Sequence, residues 1–312
     1  MTPTDSRSRP GYHLQARLVP RRRRWRTLAV LVLATVLFLT SAVLLVVPLV
    51  LLAVAVPAME APLDQALTAT DVSDPLTMAL MLAMIALMLP AALLAVRLLG
   101  GRPIGTLSSV DGHLRGRLLV RCLRLAVLLT VPAVLVSAAL DGRWTHAAVD
   151  GSTLPLLALA LLVVPLQAAA EEYVFRGLLM QTIGAWARHP VWAIVLPVPL
   201  FAVGHDYGTL GTIDVAAFGL VAGWLTWRTG GLEAAIGLHV AVNGVLFALG
   251  SIGLVELDAI EGTMAGLICS LSLMGVYAWV VRSWADTPSA ATPPGVTCGS
   301  SVDQPWERLS AR

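Results

Sequence analysis

TLPLLALALLVVPLQAAAEEYVFRGLLMQTIGAW, spanning Thr153–Trp186, is the stretch on which the fold turns. Its first half carries no charge and few polar groups, as a helix in lipid requires. A straight helix crosses the hydrocarbon core with about 20 residues at 1.5 Å each, and this run is longer than that. Its second half nevertheless holds Glu171, Glu172 and Arg176. An ionisable group inside a bilayer costs about 2.5–3.5 kcal/mol even on insertion scales, so such groups mark function by default. One segment therefore predicts both a membrane helix and a site.

Seven further apolar runs surround it, at 28–56, 76–99, 118–140, 191–205, 213–227, 232–249 and 263–281. Hydrophobic residues make up 57% of the 312 positions and charged residues 13%, against about 25% charged in soluble domains. The fold class that follows is an all-α polytopic membrane protein of about eight transmembrane helices with a four-helix catalytic core. Runs five and six are short, which keeps seven or nine crossings open. All 21 basic residues are Arg, and 19 of them fall in alternate loops or termini. Only Arg143 lies in the other loops, and Arg176 lies inside run four. Those other loops are acidic, with Glu60, Asp64, Asp71, Asp74, Asp141, Asp150, Asp206, Asp214, Glu256, Asp258 and Glu261. The positive-inside rule then predicts both termini in the cytoplasm of a multi-pass cell-membrane protein, as an even span count also requires.

The expected organisation is an Arg-rich cytoplasmic arm (1–27), then N-terminal membrane helices with a basic inner loop (28–149). A catalytic helix bundle (150–250), a last membrane helix (251–283) and a disordered polar tail (284–312) follow. The arm is expected to be disordered as well. The cluster Arg21–Arg22–Arg23–Arg24 before a run of almost 30 residues reads as a topology anchor at anionic lipid, not as a signal peptide, whose core is 7–15 residues. Nothing supports a nucleic-acid fold. Cys122, Cys269 and Cys298 form no CxxC and no even framework, so no thiolate metal site or disulfide set is implied. The loop 101–117 reads as solvated and interfacial.

Of six histidines, His205 and His239 alone lie in apolar runs, and His13, His113, His146 and His189 are expected to be solvated. Glu172 and Arg176, four residues apart, share a helix face and can pair. Glu171 lies about 100° away on the same helix, free to act as a general base or acid. The chain reverses near Arg188–His189–Pro190, and Glu171/Glu172 and His205 lie almost equally far from that point. In a hairpin of straight helices, equal distance from the turn means equal depth, so Glu and His can face one another. His239 and Asn243, at i and i+4, stack on one face, and both are donors able to stabilise an oxyanion.

Together, EExxxR at Glu171–Arg176, FxxxH at Phe201–His205 and HxxxN at His239–Asn243 resemble the CAAX protease and bacteriocin-processing (CPBP) family over about residues 150–250. The preceding GRPIGTL segment looks similar to one found in some bacterial members. The resemblance implies a glutamate-dependent intramembrane endopeptidase with Glu171 activating water and His205 helping to hold it. It further implies that His239 and Asn243 bind the oxyanion, that Glu172 and Arg176 brace the site, and that no metal or cofactor is needed. The expected partners are the lipid bilayer and a membrane-associated protein or peptide substrate, without nucleic acid. Three rivals stand beside it. A metal-dependent membrane hydrolase would use Glu and His as ligands, although HExxH is missing. A transporter would use them as a proton relay, although no repeat is evident. A scaffold or bacteriocin-immunity protein could share the fold without the chemistry.

Overall fold

The computed structural model describes residues 10–19, 23–68 and 71–286, and all their regular structure is helical. Eight principal helices carry the chain: α1 (Trp25–Ala55), α2 (Pro75–Gly100), α3 (Gly116–Leu140), α4 (Thr153–Trp186), α5 (Pro190–Val203), α6 (Thr209–Thr229), α7 (Glu233–Gly250) and α8 (Met264–Asp286). Seven are long and apolar enough to cross a membrane, α5 being the exception. Run six, expected to be short, becomes the 21-residue α6 because Thr209–Leu210–Gly211–Thr212 joins it in helical form. Run five falls short because Pro190 and Pro197 each open a short helix and lack the N–H that would join them smoothly.

The loops gather at two ends of the bundle. At one end Val110 N–H donates to Gly230 O (2.8 Å), Leu232 N–H to Ser108 O (2.9 Å), and Arg121 lies 3.8 Å over the Trp284 ring. At the other Ala148 N–H donates to Ile252 O (3.0 Å), Gly208 N–H to Ile260 O (3.0 Å), and Thr263 Oγ1 to Asp141 Oδ2 (2.9 Å). The first end is the arginine-rich one and the second the acidic one. Over the described residues the chain thus passes between the ends eight times, with α5 and the turn after it completing the fifth passage.

One buried hydrophobic cluster draws on five helices. Phe201 of α5, Phe218, Ala222 and Leu225 of α6, and Ala234, Leu238 and Ala241 of α7 share one buried cluster with Cys122 and Ala126 of α3 and Met274 and Tyr277 of α8. Gly237 lets α7 lie against α3; a Cβ there would stand 2.9 Å from Leu123 N and 3.0 Å from Cys122 Cβ. The helices α1 and α2 join elsewhere, through Val30, Ala34, Ala92 and Ala95.

Two segments expected to be solvated are buried. Tyr12–Leu18 is a 3-10 helix whose Tyr12, His13, Gln15 and Ala16 are all buried, against the expectation of a disordered arm. His13 Nε2 meets Arg188 O at 2.9 Å, and Gly184 leaves no room for a Cβ beside the His13 carbonyl. In the 101–117 loop, Thr106, Leu107, Ser108 and Ser109 are buried. Tyr12 Oη donates to Leu107 O, Gln181 Nε2 to Thr106 O (2.7 Å), and Ser108 Oγ pairs with Tyr173 Oη (2.7 Å). Hydroxyls and a buried amide satisfy the loop backbone, which is why it leaves water. Burial also raises the Tyr12 hydroxyl well above its usual range and lowers the Arg102 guanidinium to about 10. The arm's Arg21 and Arg22 and the tail from 287 lie outside the described residues, while 284–286 continue α8. His113, His146 and His189 are exposed, as expected.

Candidate active site

The site is built on the irregular middle of α4. The helix breaks at Val163, where φ is −101°, ahead of Pro165, and restarts as Val164–Glu172. A π-helical stretch, Tyr173–Leu179, follows directly. Such wide turns are uncommon and recur at functional sites. The regular turns just before this stretch carry three buried polar side chains at neighbouring depths: Gln167, Glu171 and Glu172.

Glu172 is fully buried and its Oε1 accepts twice, from Arg176 at 2.9 Å and from His239 Nδ1 at 2.8 Å. The expected i,i+4 pair with Arg176 is present. Arg176, itself 3% exposed, lies 4.1 Å over the Phe201 ring and 5.4 Å from that of Phe218. Both rings thus hold the cation with their π faces. Glu171 points elsewhere, as its position one residue earlier requires. Its Oε2 lies 3.4 Å from His239 Nε2 and has no hydrogen-bond partner.

His239 therefore stands between the two adjacent carboxylates. Nδ1 donates to Glu172, which fixes the ring and turns Nε2 toward Glu171, the usual way a second group orients a functional imidazole. Phe218 packs on the ring edge-on, 4.8 Å between centroids. One helical turn along α7, Asn243 Nδ2 lies 3.3 Å from Gln167 Oε1. Gln167 has no place in the motif reading, although a lone amide one turn before Glu171 in an apolar run was a visible signal.

His205 lies just beyond the end of α5, in the turn rather than on the helix. Its Nδ1 donates to Phe201 O at 2.7 Å, leaving Nε2 free. Asp206 follows at φ +44°, a left-handed conformation that reverses the chain toward α6. The Phe201 ring packs at a tilt against His205 at 4.6 Å and reaches His239 at 6.2 Å, so it spaces the two imidazoles. No direct contact joins His205 to Glu171 or Glu172. The four candidates Glu171, His205, His239 and Asn243 instead line one cavity of about 540 Å³, together with Gln167 and Phe201. That volume is in the range of ligand pockets. The cavity continues past Asp214 to Glu256 and Glu261, so it runs toward the acidic end of the bundle.

Among the described residues no group of three or more His, Cys, Asp or Glu side chains is arranged to hold a metal ion. A buried carboxylate with one oxygen free of hydrogen bonds, an oriented imidazole and an amide pair on one cavity wall can manage a water molecule and a carbonyl group.

Comparison with known proteins points the same way. Residues 152–245 match the family model described as Type II CAAX prenyl endopeptidase Rce1-like. A Bacillus subtilis (strain 168) protein, described as Uncharacterized protein YyaK, is 36% identical over 95 residues. Those residues are 28% of this chain and 32% of that protein, so the likeness spans about a third of the relative's length. No solved structure matches. Over this segment the resemblance to the CAAX protease and bacteriocin-processing family holds, and the matched segment contains all three motifs.

Proposed function

We propose that this protein is an intramembrane endopeptidase that hydrolyses a peptide bond of a membrane-associated protein or peptide. The observation that carries the reading is the division of labour between two adjacent glutamates. Glu172 is held at Oε1 by Arg176 and His239 and does not line the cavity, while Glu171 keeps an unpartnered Oε2 on the cavity wall. A base needs a free lone pair within reach of a water proton.

In this reading Glu171 takes a proton from a water whose other hydrogen is held by His205 Nε2. The resulting hydroxide adds to the scissile carbonyl carbon. Negative charge grows on the carbonyl oxygen, where Asn243 Nδ2 and, in its imidazolium form, His239 Nε2 act as donors. Glu171 then passes its proton to the departing amide nitrogen. The C–N bond breaks, and a carboxylic acid and an amine leave. Glu172 and Arg176 hold His239 in place, Gln167 holds Asn243, and Phe201 separates the histidines. No metal enters any step. Arginine bias supports a plasma-membrane orientation with the arginine-rich end, and both termini, in the cytoplasm.

The test compares membrane-protein termini by mass spectrometry in cells carrying the wild type, Glu171→Gln, or no copy. The expected result is a set of uncut proteins shared by the mutant and the null, with wild-type cleavage of a purified substrate unaffected by chelators. A mutant that behaves as wild type while the null does not would make Glu171 dispensable. A scaffold or immunity role would then replace the enzyme. Loss of cleavage on chelation would instead make it a metal-dependent hydrolase.

A further inference from the structure

The walls of the cavity ask for a particular occupant. Three oxygens that line it have no hydrogen-bond partner: Glu171 Oε2, Thr130 Oγ1 and Asp214 Oδ1. Glu171 is 8% exposed and Thr130 0%, so water reaches neither freely. Covering them with hydrocarbon would leave each unsatisfied, at a cost comparable to a lost hydrogen bond. Two of the three belong to carboxylates, which when ionised accept only. The occupant must therefore bring donors.

Charge narrows this further. Asp141, Glu171, Asp214, Glu256 and Glu261 line the cavity, against one arginine, Arg143, which is already paired with Glu256 at 3.2 Å. A concave, low-dielectric wall of one sign concentrates the opposite sign. Of these acids other than Glu171, Asp214 alone is not exposed. It sits half-buried on α6, where Ser270 of α8 supports it by a hydrogen bond, and its other oxygen is unpartnered. One turn further along α6, Phe218 packs on His239, so Asp214 stands roughly 5–6 Å along the helix from the reacting layer. That is about two residues of extended chain.

We propose that the cavity takes a peptide entering from the acidic end of the bundle, and that Asp214 receives an arginine or lysine side chain about two residues from the bond facing Glu171. The proposal deepens the endopeptidase reading and rests on it for the word substrate, though not for binding.

The experiment uses the full chain carrying Glu171→Gln in lipid nanodiscs, so that binding is read without turnover. The probes are two short fluorescein-labelled Ala/Leu peptides, one with a central Arg and one with Glu in its place, followed by anisotropy. The expected result is Arg-peptide binding tighter by roughly tenfold or more, the value of one charge-assisted hydrogen bond, and weakened by salt. Adding Asp214→Asn removes most of that preference and Asp214→Lys reverses it. Glu261→Gln, at the exposed mouth, changes it less. Asp214→Ser repeats the arm should the Lys variant not fold. Equal binding of the two peptides, no binding of either, or a preference that survives Asp214→Asn overturns the proposal. Wild-type protein with the same peptides, read by mass spectrometry, separates the two readings. An Arg peptide that binds by this preference and is never cut, while no cellular protein is cut either, sinks the endopeptidase and leaves the charge-selective cavity. Cleavage with no charge preference does the reverse.

Discussion

Replacing Arg176 by methionine isolates the buried network on which the site depends. Arg176 and Glu172 are 3% and 0% exposed, and the guanidinium supplies one of only two donors to Glu172. Its loss leaves a carboxylate in a low-dielectric interior with His239 Nδ1 alone. Breaking one side of a buried pair costs about 3–5 kcal/mol. The contacts with Phe201 and Phe218 at 4.1 and 5.4 Å contribute roughly a further 0.5–2 kcal/mol, part of which the methionine chain retains. The expected loss is about 4 kcal/mol, read by equilibrium unfolding in mixed micelles under SDS titration. The double variant Arg176→Met with Glu172→Gln removes both charges and keeps an acceptor for His239, so it should regain all but about 1 kcal/mol. Cleavage should stay lost in the double variant, because His239 loses its charged partner. A single variant as stable as wild type would refute the network, and so would a double variant as unstable as the single one.

Gly237→Val should cost about 1–3 kcal/mol, since its Cβ would press on Leu123 N and Cys122 Cβ and push α7 away from α3. Gly275→Ala, which meets nothing within 4 Å, should change little in the same titration. With Cys122, Cys269 and Cys298 replaced by serine, Ala259→Cys should react with a membrane-impermeant maleimide on intact cells and His113→Cys should not. The opposite labelling would turn the mouth of the cavity to the cytoplasm.

Much of the fold was legible because lipid imposes a simple code. A span must be apolar over its length, and only a buried function tolerates Glu171, Glu172, Arg176 and His239 there. The i,i+4 pairing of Glu172 with Arg176 followed from helix geometry alone. Other features depend on what each segment meets, which composition hides. Tyr12, Ala16 and Val19 are spaced as a buried face, yet they lie among arginines and read as a polar arm. Loop 101–117 looks solvated until Tyr12, Tyr173 and Gln181 are seen to complete its backbone. Glu233 falls at a loop-to-helix junction, and only the fold brings it to Arg115 at 2.6 Å. The amide of Gln167 was visible in the sequence, but its partner Asn243 is 76 residues away.

Equal depth was expected to bring Glu171 and His205 together, and the two do line one cavity, although the premise was imperfect. It assumed two straight helices, and neither is straight: α4 breaks at Val163 and widens from Tyr173, and α5 breaks between its two prolines. The π stretch lies between Glu172 and the reversal, as does the proline break between the reversal and His205. Each arm of the hairpin is therefore distorted on the same side of the site, and the rough match of depth survives. Rotation about the helix axes is independent of depth. Equal depth alone would have let His205 face Glu172. Rotation instead gives Glu172 to His239 across the bundle and turns His205 onto its own Phe201 carbonyl. That leaves Glu171 Oε2 and His205 Nε2 both without a hydrogen-bond partner on one cavity wall, as the proposed hydrolysis requires.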